Sequence, residues 1–304
     1  MYLVFLLYAL FSSVFIICKI ALEYSQPLFL VGSRMLVAGV LIIAYQLWRN
    51  PKGFSLNFKI LSLAFFNIYL TNVCEVWGLN YLSPAKTCLI YSLSPFVAAA
   101  FSFILFSEKL SSKKWFGLLV GFLGFLPILL SKSSAEELTG SLWGFSWAEL
   151  AVCVAAISNV YGWIILRQLV KEHDYSPLTA NGLSMFFGGS LALAHSYLVE
   201  DWNPFPVTEY IPLIECSILL LLVSNFICYN LYGFLLKRYT ATFMSFAGLT
   251  TPLFAAFFAW LYFGEIVSMP FYLSLAIISI GLTLFYQEEL RESGVVVDNP
   301  PIAA

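Results

Sequence analysis

The sequence predicts an all-α integral membrane protein: ten transmembrane helices as two inverted five-helix repeats, with both termini cytoplasmic. Three observations predict it. Of 304 residues, 61% are hydrophobic and only 11% charged, at a mean hydropathy of +0.87, where a soluble domain is roughly 45–50% apolar and about 25% charged. Ten apolar stretches follow one another, each near the ~20 residues that cross a bilayer core of ~30 Å. A block of sequence near residue 95 recurs near residue 252. So little polar surface cannot cover the chain in water, which excludes a soluble enzyme. A net charge of −2 without a basic stripe excludes a nucleic-acid-binding or disordered protein.

Punctuation by Pro, Gly and charge clusters sets the spans at Tyr2–Leu22, Pro27–Leu47, Phe58–Asn80, Pro84–Phe106, Trp115–Ser131, Trp143–Gln168, Pro177–Val199, Tyr210–Leu236, Tyr239–Phe263 and Pro270–Gln287. The first reads as a retained span: no Lys or Arg precedes it, and no small-residue cleavage site follows. Short connections make neighbouring spans antiparallel. Residues 288–304 read as a polar cytoplasmic tail. Basic residues in short loops fix the orientation. With the N-terminus inside, Arg49, Lys52, Lys59, Lys109, Lys113, Lys114, Arg167, Lys171, Lys237, Arg238 and Arg291 fall on the cytoplasmic side, against Lys132 outside.

The chain echoes itself. SPFVAAAFSFILFSEKLS around Pro95 returns as TPLFAAFFAWLYFGEIVS around Pro252, pairing Glu108 with Glu265, Ser111 with Ser268 and Gly124 with Gly281 at an offset of 157. At 158, Asn67 pairs with Asn225, Asn72 with Asn230 and Tyr81 with Tyr239. Residues 1–131 and 143–287 are thus two five-span repeats. Five is odd, so the second lies inverted. Halves related in this way can exchange conformations and open a central site to each side in turn. A duplicated scaffold without transport is the non-transport alternative.

The doubled block (Pro, small and aromatic residues, Phe-x-Glu-x-x-Ser, then a Gly-rich helix) resembles the EamA-type carriers of the drug/metabolite transporter superfamily. The resemblance covers Tyr2 to Gln287. It implies a central cavity lined by the first four helices of each half, with each fifth helix as support. The front of the second half departs from the first: Arg34 meets Ser184, so that charge is not duplicated.

Charged residues inside spans are costly and read as functional. Lys19, Arg34, Glu75 and Lys86, with Glu149 and Glu215 from the second half, fall in one leaflet. Pairing with one another or snorkelling is the bland account of them, above all for Lys19 and Lys86. A water-filled vestibule is the functional one, with cations holding a carboxylate, Arg34 bidentately. Glu75 there faces an ammonium or sulfonium group, or carries a coupling proton. Near the midplane, Pro95 and Pro252 each free a backbone carbonyl, at Tyr91 and Gly248, and read as hinges or as tolerated kinks. Asn67, Asn72, Asn159, Asn225 and Asn230 can bond a polar solute or a neighbouring helix. Tyr91, Trp77, Tyr161, Trp163 and Tyr229 share their helices and can stack on a planar or cationic group. Gly117 and Gly121 form GxxxG, which suits close helix packing or a dimer interface, so monomer and homodimer stay open.

None of the six cysteines forms a CxxC or metal spacing with His173 or His195, and no HExxH, GxSxG, paired aspartates or P-loop occurs. No enzyme, metal or cofactor is expected, nor a self-contained ATP-driven pump. The reading is a secondary transporter of the cell inner membrane, a uniporter or antiporter working by alternating access on a small polar, zwitterionic metabolite. A counter-transported metabolite or a proton is the implied co-partner. The resemblance brings amino acids and S-adenosylmethionine-like nucleosides into range, the latter as a cargo of the superfamily's carriers from intracellular bacteria. Proton-coupled drug or amino-acid efflux is the rival.

Overall fold

The computed structural model describes residues 2–49, 57–106, 111–131, 133–172, 175–237, 239, 244 and 247–292. Glu108, Lys52, Lys109, Lys132, His173, Arg238 and residues 293–304, all used in the sequence reading, lie outside them. The described chain is helical apart from one two-stranded hairpin. Eight of its helices are long and apolar enough to cross a membrane, and Gly248–Phe263 is a shorter apolar one.

The first part of the chain supplies α1 (Tyr2–Ala21), α2 (Pro27–Arg49), α3 (Phe58–Tyr81), α4 (Pro84–Tyr91), α5 (Ser94–Phe106) and α6 (Ser112–Leu130). Polar caps start several of them. Asn57, Ser83 and Ser111 accept the backbone N–H of Lys59, Lys86 and Lys114, and Pro84 follows its cap as the first helical residue. The fourth expected span is not continuous: a turn at Ser92–Leu93 separates α4 from α5 just before Pro95. After α6 come the short α7 (Ser134–Glu137) and a hairpin of β1 (Ser141–Leu142) and β2 (Phe145–Ser146). Trp143 and Gly144 turn that hairpin with φ of 56° and 91°, the two positive values that a tight type I′ turn needs. The sixth span therefore begins at Trp147, not at Trp143 as the apolar pattern suggested.

The chain continues with α8 (Trp147–Glu172), α9 (Pro177–Val199), α10 (Tyr210–Leu235), α11 (Thr251–Phe263, entered through a 3₁₀ turn at Gly248–Thr250) and α12 (Met269–Glu292). The last helix runs beyond Gln287, so the expected tail is helical over its first five residues. Two wide π-turn segments interrupt long helices: Ala64–Leu70 in α3 and Leu221–Cys228 in α10.

Glycines set the tightest helix pairs. A Cβ on Gly39 would lie 2.4 Å from the backbone nitrogen of Phe186, and one on Gly189 2.5 Å from that of Leu36, so α2 and α9 meet backbone to backbone. A Cβ on Gly281 of α12 would likewise lie 2.5 Å from the Gly121 nitrogen and 2.7 Å from the Gly117 carbonyl. The GxxxG motif of α6 is thus used for packing within the chain.

Candidate functional site

Helices α1 to α5, α8, α10 and α11 converge on a cavity of about 850 Å³, counting the part open to the outside. Its lining comes from α1 (Tyr8, Phe11, Phe15), α2 (Arg34), α3 (Asn72, Glu75), α4 and α5 (Tyr91, Ser94), α8 (Asn159, Trp163), α10 (Ser224, Tyr229, Tyr232) and the start of α11 (Gly248, Thr251). No lining residue comes from α6, α9 or α12.

Arg34 is 2% exposed. Among the described residues no carboxylate lies within ion-pair distance of it, since the pairs found there both involve Lys86. Its Nη2 donates to Asn72 Oδ1 at 2.9 Å, while Nε and Nη1 have no partner. The π segment explains why Asn72 is there. Widening the turn releases carbonyls from the α-helical ladder, and Asn72 Nδ2 faces those of Asn67 and Ile68 at 3.2 and 2.9 Å, with the Tyr229 hydroxyl at 3.1 Å. Its amide oxygen is thereby turned toward Arg34. In the other half, Asn230 Nδ2 faces the carbonyls of Asn225 and Phe226 at 3.2 and 3.0 Å, and its oxygen accepts from Asn181 Nδ2 at 3.1 Å. A neutral amide stands there where the first half has a guanidinium.

Glu75 lies one turn from Asn72 on α3 and is 9% exposed. Tyr91 Oη donates to its Oε2 at 2.5 Å, and its other oxygen meets no donor among the described residues. Rings also line the cavity: Trp163 stacks on Tyr232 with centroids 4.0 Å apart and planes at 25°, and Tyr229 and Phe11 meet this pair at tilted or edge angles. The Trp163 indole N–H donates to Asn159 Oδ1 at 2.8 Å, fixing the ring.

The structure thus brings together Arg34, Asn72, Glu75, Tyr91, Asn159, Trp163 and Tyr229 from the sequence-derived candidates. It places the others elsewhere. Lys86 sits 2.5 Å from Glu136 Oε2 and 2.7 Å from Glu149 Oε1, and donates to the Ser131 carbonyl at 2.9 Å, with all three charged side chains buried. Lys19 donates to the carbonyls of Leu79, Asn80 and Leu82 at 2.7, 3.0 and 3.1 Å, capping the end of α3. Asn67 is wholly buried against Gly162, Asn225 points its amide at the sulfurs of Met35 and Met185, and Asn230 holds the second π segment. Glu215 is exposed on α10.

The prolines also stand differently from their expected mid-helix positions. Pro95 and Pro252 each fall in the first turn of a helical segment, and Ser94 Oγ takes the freed Tyr91 carbonyl at 2.6 Å. Tyr8, Phe11, Phe15, Ser94, Ser224 and Tyr232 were not singled out from the sequence. The one available signal was Ser94, the residue directly before a mid-span proline.

Comparison with known proteins gives a consistent result. The EamA-like transporter family matches residues 1–130 and 146–287. An S-adenosylmethionine/S-adenosylhomocysteine transporter of Chlamydia muridarum is 37% identical over 97% of this chain and 94% of its own length. The transporter of the same description from Chlamydia trachomatis serovar L2 is also 37% identical, over 97% of this chain and 91% of its own. A WAT1-related chloroplast protein of Arabidopsis thaliana is 26% identical over 88% of this chain and 63% of its own. One solved crystal structure superposes with a TM-score of 0.67, at 15% identity and 96% coverage of each chain, and shows the fold.

Proposed function

The chain belongs to the EamA-like transporter family and is a multi-pass membrane transporter, and from that premise we propose that it exchanges S-adenosylmethionine for S-adenosylhomocysteine across the cell inner membrane as a secondary carrier. The observation that carries this reading is that neither Arg34 nor Glu75 has an ion-pair partner among the described residues. Opposite charges buried in one cavity without ion-pair partners are costly. A cargo with an anionic and a cationic end removes that cost. The α-carboxylate of both metabolites supplies the anion for Arg34, and the adenine ring matches the wall of Trp163, Tyr229 and Tyr232. An aliphatic amino acid carries the same two charges but leaves that wall unused.

Alternating access between two inverted five-helix halves, with both termini cytoplasmic, is part of the proposal. Its support is the equivalence of parts: matched π segments around Asn67 and Asn225, matched asparagines at 72 and 230, and the close pairs α2–α9 and α6–α12, each joining equivalent positions of the two halves. Counterflow in proteoliposomes tests the function. Vesicles preloaded with unlabelled S-adenosylhomocysteine accumulate labelled S-adenosylmethionine transiently, and those loaded with buffer do not. Absence of counterflow with either metabolite overturns the reading.

A further inference from the structure

Resting on that reading, we infer that Glu75 is the specificity residue that recognises the sulfonium charge and so distinguishes the cationic cargo from its neutral thioether product. The two metabolites share adenosine, carboxylate and ammonium. They differ at sulfur, which carries a methyl group and a positive charge in one and neither in the other.

The geometry separates the two poles of the site along α3. Arg34 is held at Asn72 by its 2.9 Å hydrogen bond, so a carboxylate drawn to its guanidinium stays at that level of the helix. The ammonium is attached to the same carbon as the carboxylate and stays there too. Glu75 is three residues further on, about 4.5 Å along the axis, and sulfur stands off the α-carbon by two methylenes, a comparable reach. The surroundings of Glu75 also suit sulfonium better than ammonium. An ammonium brings N–H donors that need several acceptors, whereas a sulfonium has no N–H and asks only for a countercharge and aromatic faces. Glu75 offers one free carboxylate oxygen, and beside it Tyr91 packs edge-to-face with Phe15 at 5.7 Å. With the neutral thioether bound, Glu75 keeps its Tyr91 hydrogen bond and loses only the charge contact.

The test compares half-saturation for the two cargoes in counterflow, for wild type, Glu75→Gln and Glu75→Asp. Glu75→Gln keeps the shape and a hydrogen-bond acceptor for Tyr91 while removing the charge. The expected result is a rise of about ten- to a hundredfold for S-adenosylmethionine, with S-adenosylhomocysteine changed less than about threefold, and recovery of the preference in Glu75→Asp. An equal loss for both cargoes overturns the inference and makes Glu75 the partner of the shared ammonium. Unchanged values for both overturn it as well. Either of those results leaves the exchange reading intact, whereas a wild type that carries neither cargo removes both.

Discussion

Arg34 and Asn72 are joined by a 2.9 Å hydrogen bond between side chains of α2 and α3 that are both buried. The bond aims the guanidinium and leaves two of its nitrogens free, in a molecule where Lys86, another cation buried within a span, is fully paired. Since the carboxylate is common to both proposed cargoes, Arg34→Ala is expected to weaken them alike, by at least about tenfold in half-saturation. Arg34→Lys keeps the charge but not the fork that reaches Asn72, and recovers only part of the loss. Counterflow with each cargo checks both variants. A loss confined to one cargo contradicts the assignment.

The ring wall makes a separate prediction. Alanine in place of a ring stacked on a base costs ~1–3 kcal/mol, so Trp163→Ala is expected to raise half-saturation for both cargoes by roughly five- to a hundredfold. Trp163→Phe keeps a ring and loses less. Inhibition by free adenosine falls in parallel, while inhibition by methionine does not. If methionine inhibition changes equally, Trp163 acts through the shape of the cavity and not through the base.

Lys86 predicts a stability effect with little change in recognition. Replacing it by Met leaves Glu136 and Glu149 buried without a counterion, a loss of ~3–5 kcal/mol. Thermal unfolding in detergent is expected to show a large drop for Lys86→Met and a smaller one for Lys86→Arg. Half-saturation of whatever Lys86→Met protein remains folded stays near that of wild type.

A steric prediction concerns α12. Any side chain on Gly281 meets the backbone of α6, 2.5 Å from the Gly121 nitrogen, so Gly281→Val is expected to abolish most folded protein. Ile280→Ala on the neighbouring exposed position leaves the yield unchanged. Size-exclusion profiles of the two variants decide this directly.

What could be read from the sequence followed the cost of burial. Arg34 and Glu75 stood out because a charge in an apolar span needs a reason, and the doubled asparagines stood out because the repeat aligned them. Lys86 and Lys19 carry the same signal, and Glu149 stood among the charges able to pair with Lys86, but Glu136 and the acceptors of Lys19 left no mark in the sequence. Glu136 lies in the connection after α6, outside the apolar spans, and the carbonyls that hold Lys19 exist only because α3 ends there. Tyr8, Phe11 and Tyr232 were hidden among 29 Phe and 17 Tyr, since which ring faces the cavity depends on how each helix is rotated. The π segments left no trace either: AFFNIYL and LLVSNFIC contain no breaker, and the extra residue per turn shows only in the backbone. The hairpin at Trp143 was absorbed into an apolar run because its turn needs only two residues.

Binding of cargo in the cavity is tested most directly by site-resolved thiol labelling of a Ser94→Cys variant. Ser94 lines the cavity, and cysteine is close to it in size. A water-soluble thiol reagent is expected to modify position 94 in the exchange-competent protein, and saturating S-adenosylhomocysteine is expected to slow that modification several-fold, while leucine does not. Modification at an unchanged rate under saturating S-adenosylhomocysteine, in protein that still exchanges it, would place the cargo somewhere other than between Arg34 and Glu75.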